Sequence, residues 1–179
     1  MIVDRSPLSG LPAPFDLATV LLHCRLGNDT DAVNEATLHA TAAALEIEAY
    51  ASIALLHQTI YISMAEWPDV AWMALPIAPL LDPATVTVTA RGDEFEGFTV
   101  TTGHRPKLWI DGPAPRGDVV IEYKAGFGDK ASNIPADLAL AIMDQASAFY
   151  DLRGAGDGKS SGLSPHAARI AARYRRVSL

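Results

Sequence analysis

The feature that most limits what this chain can fold into is the stretch Val119–Gly154, VVIEYKAGFGDKASNIPADLALAIMDQASAFYDLRG. Val119, Ile121 and Tyr123 alternate with Val120, Glu122 and Lys124, which is the period of a strand with one buried face. Gly126 and Gly128 follow, where a tight turn or a positive φ costs a glycine little. Pro135 stands where a first helical residue belongs, with Asn133 just before it and Asp137 in the first turn. Leu138, Ile142, Met143, Ala146, Phe149 and Tyr150 then share one helical face. Asp137, Asp144, Ser147 and Asp151 lie opposite, and Gly154 stops the helix.

The segments before this stretch supply its packing partners. Residues 1–14 contain Pro7, Gly10, Pro12 and Pro14, a composition that predicts an irregular arm ordered only against something else. Asp16 is a plausible N-cap for a helix carrying Leu17, Val20, Leu21 and Cys24, which ends near Leu26–Gly27. Cys24, on its apolar face, reads as core. Asp29, Thr30 and Asp31 offer caps for a second helix, predicted from Asp31 to about Leu56 and holding nine alanines. Val33, Ile47 and Tyr50 fall on one side of it, and Leu38, Leu45, Ile53 and Leu56 on the other. Such a helix is buried between neighbours. It is either the centre of a bundle or has one face against another subunit.

From His57 the period shortens. Residues 57–64, 69–75, 85–89, 94–100, 107–111 and 118–125 read as short strands separated by Pro, Gly and Asp, with Arg91-Gly92-Asp93 as a turn. Residues 57–125 are therefore expected to form a small antiparallel β-unit inserted between helices. After the organising helix, residues 154–163 (GAGDGKSSGL) read as a linker. Ser164 and Pro165 then cap and open a last helix, residues 164–179. Ile170, Tyr174 and Val177 share one face of it, and Arg169, Arg173 and Arg176 the opposite one. The predicted class is α+β, mainly helical: a bundle of about four helices with an inserted small antiparallel β-unit.

Composition narrows the function. The chain has 179 residues, 49% hydrophobic and 20% charged, with net charge −7. That balance excludes a disordered chain and a general nucleic-acid binder. The charge is uneven: residues 163–179 hold four arginines and no acid, leaving 10 basic against 21 acidic residues, net −11, on the rest. One cysteine excludes an intrachain disulfide and suits a reducing compartment. MIVDRSPLSG lacks the basic and apolar regions of a signal peptide. The longest apolar run, Val70 to Leu81, is broken by two prolines and too short to span a bilayer. A soluble product of the cytoplasm is expected.

Residues suited to chemistry are present but not arranged for it. Gly154-Ala-Gly-Asp-Gly158-Lys159-Ser160 resembles a phosphate-binding loop, yet has three residues rather than four before Gly-Lys-Ser, and it follows a helix instead of a strand. Gly126-Phe127-Gly128 lacks the third glycine of a dinucleotide fingerprint. His23, His39, His57, His104 and His166 are scattered, with no second cysteine nearby to suggest zinc. The carboxylates spread along polar faces and turns. No catalytic, metal or cofactor-binding residue is assigned, and the chain is not expected to be an enzyme. A small nucleotide-binding protein or enzyme using the GAGDGKS loop is the alternative, and a monomeric accessory domain a third reading. The terminal arginines suit docking on an acidic partner surface through bidentate contacts.

The order strand, G-F-G-D, I-P-A-D-L, and a helix ending F-Y-D-L-R resembles the head–tail connector family, the adaptors between portal and tail in long-tailed phages and gene transfer agents. Three further passages carry the likeness: the opening L-L-H-C-R-L-G-N-D, the proline-marked L-P-I-A-P-L-L-D-P-A-T-V-T-V, and the terminal I-A-A-R-Y-R-R-V-S-L. The last has Ile170-Ala171 where many members have two leucines. The resemblance covers most of the chain. It implies a single head–tail adaptor domain and a structural role in the particle, assembled in the bacterial cytoplasm. It implies a closed homo-oligomeric ring, dodecameric, under the portal protein, extending the DNA channel toward tail-side stopper proteins. DNA would then be only transiting cargo, and no membrane is involved. Arg169, Ile170, Arg173, Tyr174, Arg175, Arg176 and Val177 are the expected interface with portal or neighbouring subunit.

Overall fold

The computed structural model describes residues 1–152 and 162–175. The chain divides into two compact units, Met1–Leu11 with Leu56–Phe127, and Pro12–Leu55 with Gly128–Leu179.

The first unit is built of antiparallel strands: β1 (Ile2–Pro7), β2 (Gln58–Met64), β3 (Trp72–Ala74), β4 (Thr87–Ala90), β5 (Asp93–Glu94), β6 (Phe98–Thr101), β7 (Lys107–Ile110) and β8 (Val119–Ala125). They form a five-stranded sheet in the order β1-β2-β8-β4-β5 and a three-stranded sheet in the order β3-β7-β6. β8 is the central strand of the larger sheet, with Ile121 opposite Ile62 on one side and Val88 on the other. Val119, Ile121, Tyr123 and Ala125 are fully buried, as their alternation predicts. The Tyr123 hydroxyl accepts from Ile77 N at 3.0 Å and donates to Ile77 O at 3.1 Å, tying the proline-rich loop to the sheet. Burial pushes that phenol's pKa well above the usual tyrosine value, despite the opposing bond to Ile77. Gly126 exits the strand at φ +132°, and a Cβ there would lie 2.5 Å from Leu56 O. Its N–H donates to Pro79 O at 3.0 Å.

The N-terminal residues correct the expectation of an irregular arm. Ile2–Pro7 pairs along β2, from Ile2 opposite Ser63 to Pro7 opposite Gln58. β1 buries almost no side chain, so its sequence shows no alternation. Backbone pairing at a sheet edge holds it, and Pro7 is tolerated because it sits at the end of an edge strand.

The second unit contains α1 (Leu17–His23), α2 (Thr30–Ala51), α3 (Ala136–Leu152) and α4 (Pro165–Ala171). Asp16, Asp29 and Ser164 cap α1, α2 and α4 by accepting from Thr19, Ala32 and Ala167 N–H groups. α2 ends five residues before the expected Leu56. Ser52 takes the left-handed conformation there, and the buried Glu48 carboxylate accepts from Leu55 N at 2.6 Å. A carboxylate from within the helix thus satisfies the chain beyond it, a contact that periodicity does not show. α3 packs against α1, α2 and α4, with Leu138, Ala141, Ile142 and Ala146 buried. Phe149 and Tyr150 are only half-buried and approach the His39 ring at 6.4 and 6.1 Å between centroids. The described chain is mixed α+β, with about 35% helix and 25% strand. The expectation of a mainly helical bundle is corrected, because the strands form two sheets with a core of their own.

Candidate functional site

The C-terminal segment is the site that the sequence singles out, and α3 holds it. Gln145, 1% exposed, accepts from Ser164 N at 2.6 Å and donates through Nε2 to Glu46 Oε2 at 2.9 Å. One buried amide therefore joins α2, α3 and the start of α4. The preceding residue, Asp144, binds two histidines through its carboxylate. Its Oδ1 lies 3.1 Å from His23 Nε2 of α1, and its Oδ2 is bonded to His166 Nδ1 of α4. The face of α3 expected to be solvated is therefore covered by α1 and α4.

The same face anchors the end of the described chain. The Tyr174 hydroxyl donates to Asp137 Oδ1 at 2.7 Å, and Arg173 lies 3.6 Å from Oδ2. Desolvation first, then the Asp137 bond and charge, push the Tyr174 phenol up to about 12. Arg175 places its guanidinium carbon 5.2 Å from the Tyr50 ring centre.

These contacts change the expected interface set. Among the described residues the helix stops at Ala171, and residues 172–174 form turns. Ile170, 3% exposed, is core together with Ala167 and Ala171, so it is not available to a partner in this chain's fold. Alanine-rich α4 is narrow enough for its inner face to sit close against α3 and α2, which draws Ile170 inward. Arg169, Arg173 and Arg175 remain exposed, with Tyr174 half-buried. Arg176, Val177 and the GAGDGKS loop lie outside the described residues.

The first unit presents a second surface that the sequence reading did not mark. Trp72 of β3 and Trp109 of β7 are directly opposite in register, with ring centroids 5.7 Å apart. Lys107 Nζ lies 4.0 Å above the Trp72 ring. Both indoles stay 37% exposed. An aromatic pair at cross-strand positions was legible only once the register of β3 and β7 was known. Elsewhere in this unit a surface hollow of about 580 Å³ is lined by Trp67, Pro68, Val70, Pro113, Pro115 and Arg116 among others. It brings together no nucleophile with a base.

Among the described residues no group of three His, Cys, Asp or Glu side chains is placed to hold a metal. Among the described residues no helix is long and apolar enough to cross a membrane. Cys24 is half-buried, its thiol pKa raised by burial and then by Asp151. The geometry is that of packed helices and exposed contact surfaces.

No protein-family model matches the sequence, and no curated protein matches it. Solved structures do. A chain in the neck of an empty gene transfer agent particle, computed with C6 symmetry, superposes with a TM-score of 0.78 at 26% identity. A chain in the virion of the native particle gives 0.77 at 23%, and one in the native neck, computed with C12 symmetry, 0.74 at 23%. Each alignment covers 100% of this chain and 97% of the other.

Proposed function

We propose that this chain is a structural component of the neck of a gene-transfer-agent-type particle, acting as its head–tail adaptor. The observation that carries the reading is the fold: both units, end to end, match chains of such particles and necks. An insertion or a missing unit would have broken that coverage. A particle protein is also what a chain of packed faces and exposed aromatic and arginine surfaces suits.

In this reading copies of the chain form a closed ring under the portal protein, and tail-side stopper proteins dock on its far side. The symmetric necks in which similar chains occur support a ring. Contacts within such a ring are heterologous, closed by rotation. Arg169, Arg173, Tyr174 and Arg175, with Arg176 and Val177 beyond the described residues, form the docking end toward portal or neighbour. The acidic remainder of the chain would let DNA pass without being held, because it offers few cations for phosphate. The role is structural rather than enzymatic.

The test is to delete the gene in a producing strain and to tag the chain in a second strain. Heads filled with DNA but lacking tails, and antibody label at the neck of wild-type particles, are the expected results. Intact tailed particles in the deletion strain would overturn the proposal.

A further inference from the structure

The outer face of the five-stranded sheet holds an aromatic ring between two carboxylates. Asp4 of β1, Tyr61 of β2 and Glu122 of β8 stand directly opposite one another in register, so their side chains form one row on one face. Asp4 and Glu122 are exposed, and Tyr61 is 39% exposed. Thr59 and Ser63, the neighbours of Tyr61 on that face of β2, are short, so the ring stands clear. Among the described residues none of the three side chains has a hydrogen bond or ion pair. Glu94 of β5, in the row of Val120 and Thr89, adds a third carboxylate to the face, and Lys124 one ammonium, which leaves it net acidic. Arg5 falls in the opposite-facing row, with Ile60 and the buried Tyr123.

We infer that this row is a socket for a guanidinium, and that Arg169 of a second copy of the chain fills it. A planar cation lies flat on a phenol ring. Its N–H groups then point sideways to carboxylates one strand spacing, ~4.8 Å, to either side. The point charge of a lysine would use only part of that arrangement. Within the C-terminal segment Arg173 lies on Asp137 and Arg175 on Tyr50. Arg169 is exposed and unpaired among the described residues. Pro165 and Ala172, one turn to either side of it, are small and exposed, so its side chain reaches past them. Local charge selects the occupant: residues 163–179 hold four arginines and no acid, and the sheet face is net acidic. Every copy carries both halves. In a closed ring of heterologous contacts each socket therefore meets one Arg169, and neither half is left over. Arg175 is left to face portal.

The inference rests on the ring reading and can fail separately from it. A photoreactive benzoylphenylalanine is introduced at Thr59 or at Ser63, beside the socket, in a producing strain. Cells are irradiated, and both lysate and purified particles are analysed. The expected product has twice the 19.0 kDa mass of one chain, and its joined peptide lies within residues 164–175 of the second copy. A crosslink to another protein, a joined peptide elsewhere, or no crosslink at either position would overturn the inference. Charge exchange gives an independent reading. Asp4→Lys/Glu122→Lys and Arg169→Glu should each melt as wild type does. Each alone should lose more than about tenfold of its incorporation into particles, equivalent to about 1.4 kcal/mol. Made together in one strain, the two variants attract at every joint when they alternate, so incorporation should recover. Undiminished incorporation of the socket variant alone, or no recovery by the pair, would overturn the inference. If either variant melts early, the crosslink decides. Absence of the wild-type chain from purified particles would instead overturn the neck reading, and the crosslink in lysate would still decide the contact.

Discussion

At the scale of single residues, the decisive groups are polar side chains that serve the backbone of another segment. Tyr123 is the clearest, since one hydroxyl satisfies both the N–H and the C=O of Ile77. Tyr123→Phe should lower stability by about 1–3 kcal/mol, because two buried backbone groups lose their partner while packing is retained. Urea unfolding checks this, and a loss below about 0.5 kcal/mol would mean that water replaces the hydroxyl. Asp144 is the case where pattern and fold disagree. On the pattern it belongs to a polar face, where alanine would cost under about 0.5 kcal/mol. With His23 and His166 both on its carboxylate, Asp144→Ala should cost about 1 kcal/mol or more. Equal melting curves for variant and wild type would return Asp144 to the solvent.

At the scale of elements, α4 is too short to be stable alone and is held by what surrounds it. Gln145 fixes its start, Asp144 its first turn, and Asp137 the turn beyond its end. The Tyr174 bond has a pH signature. Its phenol is raised to about 12 in the fold, against about 10 in an unfolded chain. The neutral form is therefore favoured by folding, so its contribution is complete below about pH 10 and is lost as pH rises toward 12. Burial raises the Tyr123 phenol as well, adding a loss of the same sign. Tyr174→Phe should make the fall in stability above about pH 10 shallower without abolishing it. Denaturant melts across that range test this; an unchanged slope would show that folding does not raise the Tyr174 phenol.

At the scale of the whole molecule, the arginines at the C-terminal end stand against an otherwise acidic chain. Arg173 already faces Asp137, so Arg169 and Arg175 are the better probes of docking. On the proposed docking to portal protein, Arg169→Glu/Arg175→Glu should leave the fold intact and weaken that association, chiefly by slowing it and by reducing its salt dependence. Co-sedimentation with portal at two salt concentrations is the measurement. Wild-type-like binding at both would make this end a solvated terminus. The acidic balance carries a further expectation. Duplex DNA should not be retained in a gel shift at physiological salt, since few cations are available to displace counterions.

How much of this could be read in advance depended on whether the cause was local. Caps at Asp16, Asp29 and Ser164, the alternation of β8 and the apolar face of α3 follow from period and from short-range hydrogen bonding. Those are properties of neighbouring residues, and the sequence by itself determined them. β1 escaped because its partner lies more than fifty residues away and its side chains are exposed, leaving no pattern to detect. The Trp72–Trp109 pair, the Asp144 histidines and the Gln145 links escaped for the same reason: each joins segments whose register or approach is set by the fold. Ile170 and Leu38 show the limit most plainly. Both are apolar residues on helices, yet one is buried and the other exposed. Periodicity says which residues share a face, but only the packing of other elements decides which face meets water.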